Sequence, residues 1–186
     1  MSWIGHIGTE AHNRCSWHQH CKAWDLNHIR FSNGTYLDFV RPSESWNSSS
    51  RAERRLYWAI DASLQRYFNA TIDAPSDPTG HDNHIHVDKS CGSVAAPYHP
   101  WLRYSDDTKF IQYLCNDFNS AGIDTDGYWG NNTQAAWTSL LSALDMSCIN
   151  PLTSAASWKT FLGYIMRHGL ANRSAGYWDY ICSEVQ

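Results

Sequence analysis

Apolar positions along the chain follow two regimes that meet near residue 90. Ahead of it, AWDLNHIRF (23–31) and GTYLDFV (34–40) read as short strands joined by a turn at Ser32-Asn33-Gly34. Asn-Gly between two extended runs is a strong hairpin signal, because both residues tolerate the positive φ of a tight turn. From Ser50 the period changes. Leu56, Ile60, Leu64 and then Tyr67 or Phe68 recur at helical spacing, and Ser50 with Glu53 makes a capping box. The loop DAPSDPTG (73–80) ends that region, and NHIHVD (83–88) returns to strand alternation. The front half is therefore expected to be α+β.

Behind the seam the pattern is helical. Phe110, Ile111, Leu114 and Phe118 form a first stripe. Ala136, Trp137, Leu140, Leu141 and Leu144 form a second, started by Asn132 or Thr133 after the tight loop DTDGYWGNNT. Trp158, Phe161, Leu162 and Ile165 form a third, expected to end before Gly169 as its C-cap. The stretch SCGSVAAPYHPWLRYSDD, with two Pro and no period, reads as a linker. The expected division is a front domain at 1–95, a linker at 96–105 and a helical domain at 106–186.

Composition narrows the function. The 186 residues are 42% hydrophobic and 17% charged, as in a folded globular chain. A formal net charge of −4 disfavours a nucleic-acid partner, since phosphate contacts need a basic face. No apolar run is long enough to span a membrane. The N-terminal MSWIGHIGTEAHNR has no basic start followed by an apolar stretch, so it is not a signal peptide as written. The six cysteines (Cys15, Cys21, Cys91, Cys115, Cys148, Cys182) are even in number and lack paired CxxC spacing. They point to disulfides and an oxidising destination rather than to a structural zinc site. Ten Trp and ten Tyr exceed what one small core needs. They either fill two small cores or present rings for stacking on sugars and peptides.

Nine of the ten histidines precede residue 100, and two segments concentrate them: SWHQHCKAWD (16–25) and HDNHIHVD (81–88). In a strand, His84 and His86 share one face while Ile85 and Val87 share the other. One imidazole can then bind a metal while its neighbour touches the bound water. His18 and Asp25 can approach the same ion from the loop and strand that precede. Two imidazoles, one carboxylate and an open fourth position make a catalytic zinc site, at which bound water ionises near pH 7. A nearby general base completes an amide hydrolase. A lone histidine is ordinarily a surface or core residue, and His6, His12, His28 and His99 are read so. His20 adjoins the site without a motif role.

At these residues the chain resembles the LAS metallopeptidases (M15-like), which include D-alanyl-D-alanine carboxypeptidases and murein endopeptidases. SWHQHCKAWDL fits their SxHxxGxAxD motif and HDNHIHVD their closing HxH. The extended pattern, ending in HxxHxHxD, is that of the extensin-like C-terminal domain family. Ser16, His18, Ala23, Asp25, Gly34, His81, His84, His86 and Asp88 carry it. The resemblance implies a small antiparallel sheet with helices, and zinc bound by His18, Asp25 and His86. It implies His84 as general base or stabiliser of the tetrahedral intermediate, and His81 as an accessory histidine. Cys21 stands where the family has Gly, and Asn83 where some members have an acid, which favours His84 over Asp82 as the base. FIQYLCNDFNSAGIDTDGYWGNNTQAAW resembles an all-α, three-helix peptidoglycan-binding domain through Gln112, Asp126, Gly127, Gly130 and Thr133.

The expectation is thus a zinc peptidase of peptidoglycan, carboxypeptidase or endopeptidase, monomeric, and working outside the cell, in the periplasm or in the wall. A trimmed signal, a phage lysin and an injected toxin all fit that location. Two competitors remain. A wall-binding module with a structural metal would not need His84. The other is a nuclease or another zinc hydrolase with the same ligands; the acidic charge and the wall-binding pattern weigh against a nuclease, while a zinc hydrolase of another amide substrate stays open.

Overall fold

The computed structural model describes residues 3–8, 18, 23–68, 70–88 and 106–171. Among them are five strands and four α-helices, a mixed α+β arrangement. The strands are β1 (Trp3–Gly8), β2 (Ala23–Arg30), β3 (Tyr36–Asp38), β4 (Ala70–Ile72) and β5 (Ile85–Asp88). The helices are α1 (Arg51–Tyr67), α2 (Asp106–Asn119), α3 (Asn131–Ala143) and α4 (Ala155–Ala171). No helix among the described residues is long and apolar enough to cross a membrane.

All pairings in the sheet are antiparallel, in the order β1-β2-β5-β4 with β3 also on β2. β2 organises it. Its residues 28–30 pair with β3 and its residues 23–26 with β5, so one long strand seats two shorter ones in succession. The expected turn joins β2 to β3. Gly34 takes φ +89, Phe31 N–H donates to Thr35 O at 2.8 Å, and Asn33 Oδ1 accepts from Thr35 N–H at 3.0 Å. Neither β1 nor β4 is among the expected strands.

α1 begins where the capping box places it. Ser50 Oγ accepts from Glu53 N–H at 3.4 Å, and the Glu53 carboxylate accepts from Ser48 Oγ, which itself accepts from Ser50 N–H at 3.0 Å. Of the alternatives at its end, Phe68 packs against the core while Tyr67 is exposed. The helix is buried more widely than one stripe, through Tyr57, Trp58, Ala59, Ile60, Asp61, Ala62, Leu64 and Gln65. The cause is its position: it packs along α4 and also touches α2, β3 and β4. The buried cluster runs unbroken from Leu26, Ile29, Ile85 and Val87 in the sheet, through Trp58, to Ile111, Leu114, Phe161 and Ile165. Trp58 stacks on Tyr113 at 4.9 Å and donates through Nε1 to Asp117 Oδ2 at 2.7 Å. Arg54 clamps the same carboxylate at 2.7 and 2.8 Å, so the buried Asp117 is neutralised where α1 meets α2.

Two sequence expectations are corrected. α4 does not end at Gly169 but continues to Ala171. A Cβ at Gly169 would lie 2.2 Å from Arg55 O and 2.5 Å from Ala59 Cβ, so this glycine lets α4 approach α1 instead of capping it. The six cysteines are not all paired either, because Cys115 is buried and free. Five cysteines remain, so at most two bridges close within one chain. Cys15, Cys21, Cys91, Cys182 and the expected linker 96–105 lie outside the described residues.

Candidate metal centre

The centre is built on the register of β2 and β5. Asp25 is directly opposite His86, and Leu26 is opposite Ile85. Opposed residues of an antiparallel pair project to the same face and their neighbours to the other. Leu26, Ile85 and Val87 are at most 1% exposed, which fixes that face as the core. Asp25, His84 and His86 are thereby turned to the opposite face, where each keeps 13–18% of its side-chain surface. A slip of one residue would send the three polar groups into the core, so hydrophobic burial sets the register of the site.

His18 joins them from the chain segment ahead of β2. Its Nε2 lies 3.3 Å from Asp25 Oδ1 and 3.2 Å from His86 Nδ1, and His86 Nδ1 lies 2.7 Å from Asp25 Oδ1. His18, Asp25 and His86 form the one group of potential metal ligands among the described residues. Two imidazole nitrogens and a carboxylate oxygen converging this closely repel one another unless a proton or a cation lies between them. Ligands of a tetrahedral zinc at bonds of about 2.0–2.1 Å lie roughly 3.3 Å apart. The donor set fits zinc, and so do the two spacings from His18, while the 2.7 Å between His86 Nδ1 and Asp25 Oδ1 is a hydrogen-bond distance that a bound ion would widen. Burial works to raise the Asp25 carboxyl, but the His86 hydrogen bond and the charges of His18, His84 and His86 outweigh it and hold the carboxyl below its ordinary value. Asp25 is thus an anion at neutral pH.

His84 is beside the group without belonging to it, with Nε2 at 3.7 Å from Asp25 Oδ1. Its Nδ1 faces Asn83 Oδ1 at 2.8 Å. A carboxamide oxygen only accepts, so Nδ1 carries the hydrogen and Nε2 the lone pair in the neutral ring. Burial lowers the pKa of His84, with His81 and His86 adding to the effect and Asp25 opposing it. His81 completes the rim, its ring centroid 4.7 Å from that of His84 and 5.8 Å from that of His86. Its Nδ1 faces Asp77 Oδ2 at 3.0 Å. The Trp46 indole N–H donates to Asp82 O at 3.2 Å and pins the segment that carries these rings.

Every site residue named from the sequence (His18, Asp25, His81, His84 and His86) is at this one place. His28 is elsewhere, tied to Asn27 and Asp38 and stacked on Tyr36. The side chain of His6, and His12, His20 and His99, lie outside the described residues. Two residues were missed, Asp77 behind His81 and Trp46, and Asn83, read only as the lack of an acid, stands behind His84. Asp77 had a readable signal in the turn Asp-Pro-Thr-Gly, whose Asp caps the N–H groups of Thr79 and Gly80. Trp46 had none, being 36 residues from its partner.

The helical half holds a second polar assembly. Gln112, 1% exposed, donates through Nε2 to Asp126 Oδ1, Tyr128 O and Thr133 Oγ1 at 2.9–3.1 Å and accepts from Gly127 N–H at 2.8 Å. Gly127 takes φ +77 at the turn. The network ties the 124–130 loop between α2 and α3.

Compared with known proteins, residues 6–95 match the model of the family described as Extensin-like protein C-terminus. That region contains all five site residues. No curated protein and no solved structure gives a match.

Proposed function

We propose that the protein is a zinc-dependent amide hydrolase that cleaves peptide bonds of bacterial peptidoglycan, as a carboxypeptidase or an endopeptidase. The observation that carries this reading is the convergence of His18 Nε2, Asp25 Oδ1 and His86 Nδ1 within 3.3 Å of one another, with His84 Nε2 at 3.7 Å from the shared oxygen. Zinc held by the three would supply a water ionised near neutral pH and polarise the substrate carbonyl. Asp25, anionic and flanked by imidazoles, neutralises part of the cation's charge. His84 is the base. Its Nδ1 hydrogen is engaged by Asn83, so Nε2 is the atom that accepts a proton and then delivers it to the leaving amine. Its depressed pKa keeps it neutral, and competent to accept, at pH 7.

The substrate class rests on two supports. The front half resembles peptidases of the cell wall, and the 6–95 match falls on the same residues. In the back half, Gln112, Asp126, Gly127 and Thr133, which carry the resemblance to wall-binding domains, act together in one network. On this reading the protein works at the wall, outside the cytoplasm. The test is digestion of purified peptidoglycan, with the products read by mass spectrometry for new termini. Release of stem-peptide fragments that stops with a chelator and resumes with zinc is the expected result. Intact peptidoglycan after treatment with zinc-loaded protein would refute the substrate.

A further inference from the structure

We propose that Asp77 is a positioning residue of this centre: it fixes His81 in the tautomer with hydrogen on Nδ1, so that Nε2 is left beside His84 and His86 as an acceptor for a donor group of the substrate peptide. The role deepens the hydrolase reading and rests on it for the substrate.

The grip is double. Asp77 O accepts from His81 N–H at 2.9 Å, and Asp77 Oδ2 faces His81 Nδ1 at 3.0 Å. The carboxylate is itself immobilised, because Oδ1 accepts from Thr79 N–H at 3.3 Å, Thr79 Oγ1 at 3.0 Å and Gly80 N–H at 3.1 Å. These bonds, led by that of Gly80 and joined by that of His81, hold the carboxyl at about 2, so it is ionised and can only accept. The ring nitrogen facing it must then carry hydrogen, which leaves the lone pair of neutral His81 on Nε2. Gly80 serves the same end. A Cβ at that position would lie 2.5 Å from Asp77 Oδ2, so a side chain there would push away the oxygen that holds His81. A turn that needed only its cap would be satisfied by Oδ1 alone, and would not require residue 80 to make way for Oδ2.

The result is a row of two rings with assigned nitrogens. His84 Nδ1 is satisfied by Asn83 and His81 Nδ1 by Asp77. Both Nε2 atoms are left as acceptors, on rings whose centroids lie 4.7 Å apart. One suffices to take a proton in the reaction. The second suits recognition of an N–H, from an amide or an ammonium group of the peptide next to the scissile bond.

The experiment records nitrogen chemical shifts of the histidines in the full-length chain near pH 8.5, about two units above the ordinary imidazole value. Steady-state cleavage of wall peptides is measured alongside. Wild-type His81 is expected protonated at Nδ1. In Asp77→Asn, Oδ1 still caps the turn but an amide N–H replaces Oδ2, and His81 should switch to hydrogen on Nε2. The loss should be about 10–100-fold in kcat/KM, carried mainly by KM. Gly80→Ala, which keeps the carboxylate but displaces it, should lose the same tautomer preference. Wild-type His81 protonated at Nε2 overturns the proposal, whether or not either variant folds. So does a folded Asp77→Asn with an unchanged tautomer. If wild type cleaves no wall peptide, the tautomer still decides the Asp77–His81 pairing, and only the hydrolase reading falls.

Discussion

Asp25 Oδ1 is the atom on which the centre turns, with nitrogens of His86, His18 and His84 at 2.7, 3.3 and 3.7 Å. On the proposed reading, that spacing separates the metal ligands from the base. His84→Ala should keep zinc near one per chain, because the three closer groups remain, and should lose about 10²–10⁴-fold in kcat. Metal analysis beside steady-state kinetics checks this, and loss of zinc in His84→Ala would show that the roles are misassigned. The candidate site residues were legible because strand alternation puts His84 and His86 on one face, and because SWHQHCKAWD and HDNHIHVD together resemble a known motif pair that implies His18, Asp25 and His86 as ligands. What lay behind them was legible only in part: the Asp-Pro-Thr-Gly turn marks Asp77 as a cap, not as the partner of a ring. Asn83 and Asp77 act through side-chain bonds to a ring one and four residues on, and short polar residues in turns have many other uses.

Among elements, α2, its loop and α3 depend on Gln112. A single amide joins both helices and the loop through four donors or acceptors, so its removal breaks four bonds at once. Gln112→Leu keeps the volume but leaves Gly127 N–H without its acceptor. It should cost about 2–4 kcal/mol by chemical denaturation. A change under about 0.5 kcal/mol would mean that the loop holds itself. The sequence marked this region through its Asp-Gly turn and its helical periods. Elements went astray where the signal is weak or two-fold in meaning. β4 has three residues, too few for a period, and β1 is the glycine-bearing WIGHIG. Gly169 reads equally as a cap or as a close approach, and only the position of α1 decides.

At the scale of the molecule, α1 from the front half shares a buried face with α4 from the back half, so stability is pooled across the seam. His168 on α4 is 1% exposed and neutral. Burial, with the charges of Arg55 and Arg167, lowers its pKa to about 3. The unfolded chain takes up this proton near pH 6.5, the folded one only near 3, so the unfolded state binds more protons in between. This contribution to stability is full above about pH 6.5 and falls by up to about 1.4 kcal/mol per pH unit below it. Denaturant titrations at pH 7.5 and 5 should show the loss, and His168→Gln should flatten it. An equal slope in the variant would assign the acid sensitivity elsewhere. One-stripe periodicity could not foresee this core. It describes a helix with one covered side, whereas α1 is covered by both sheet and helices.

The most direct test of the account is the zinc content of purified wild type and His86→Ala by elemental analysis, with hydrolysis of peptidoglycan followed in the same samples. Wild type should hold about one zinc per chain, lost together with activity in the variant. A folded wild-type protein that takes up no zinc, or a His86→Ala protein that keeps both metal and activity, would contradict it.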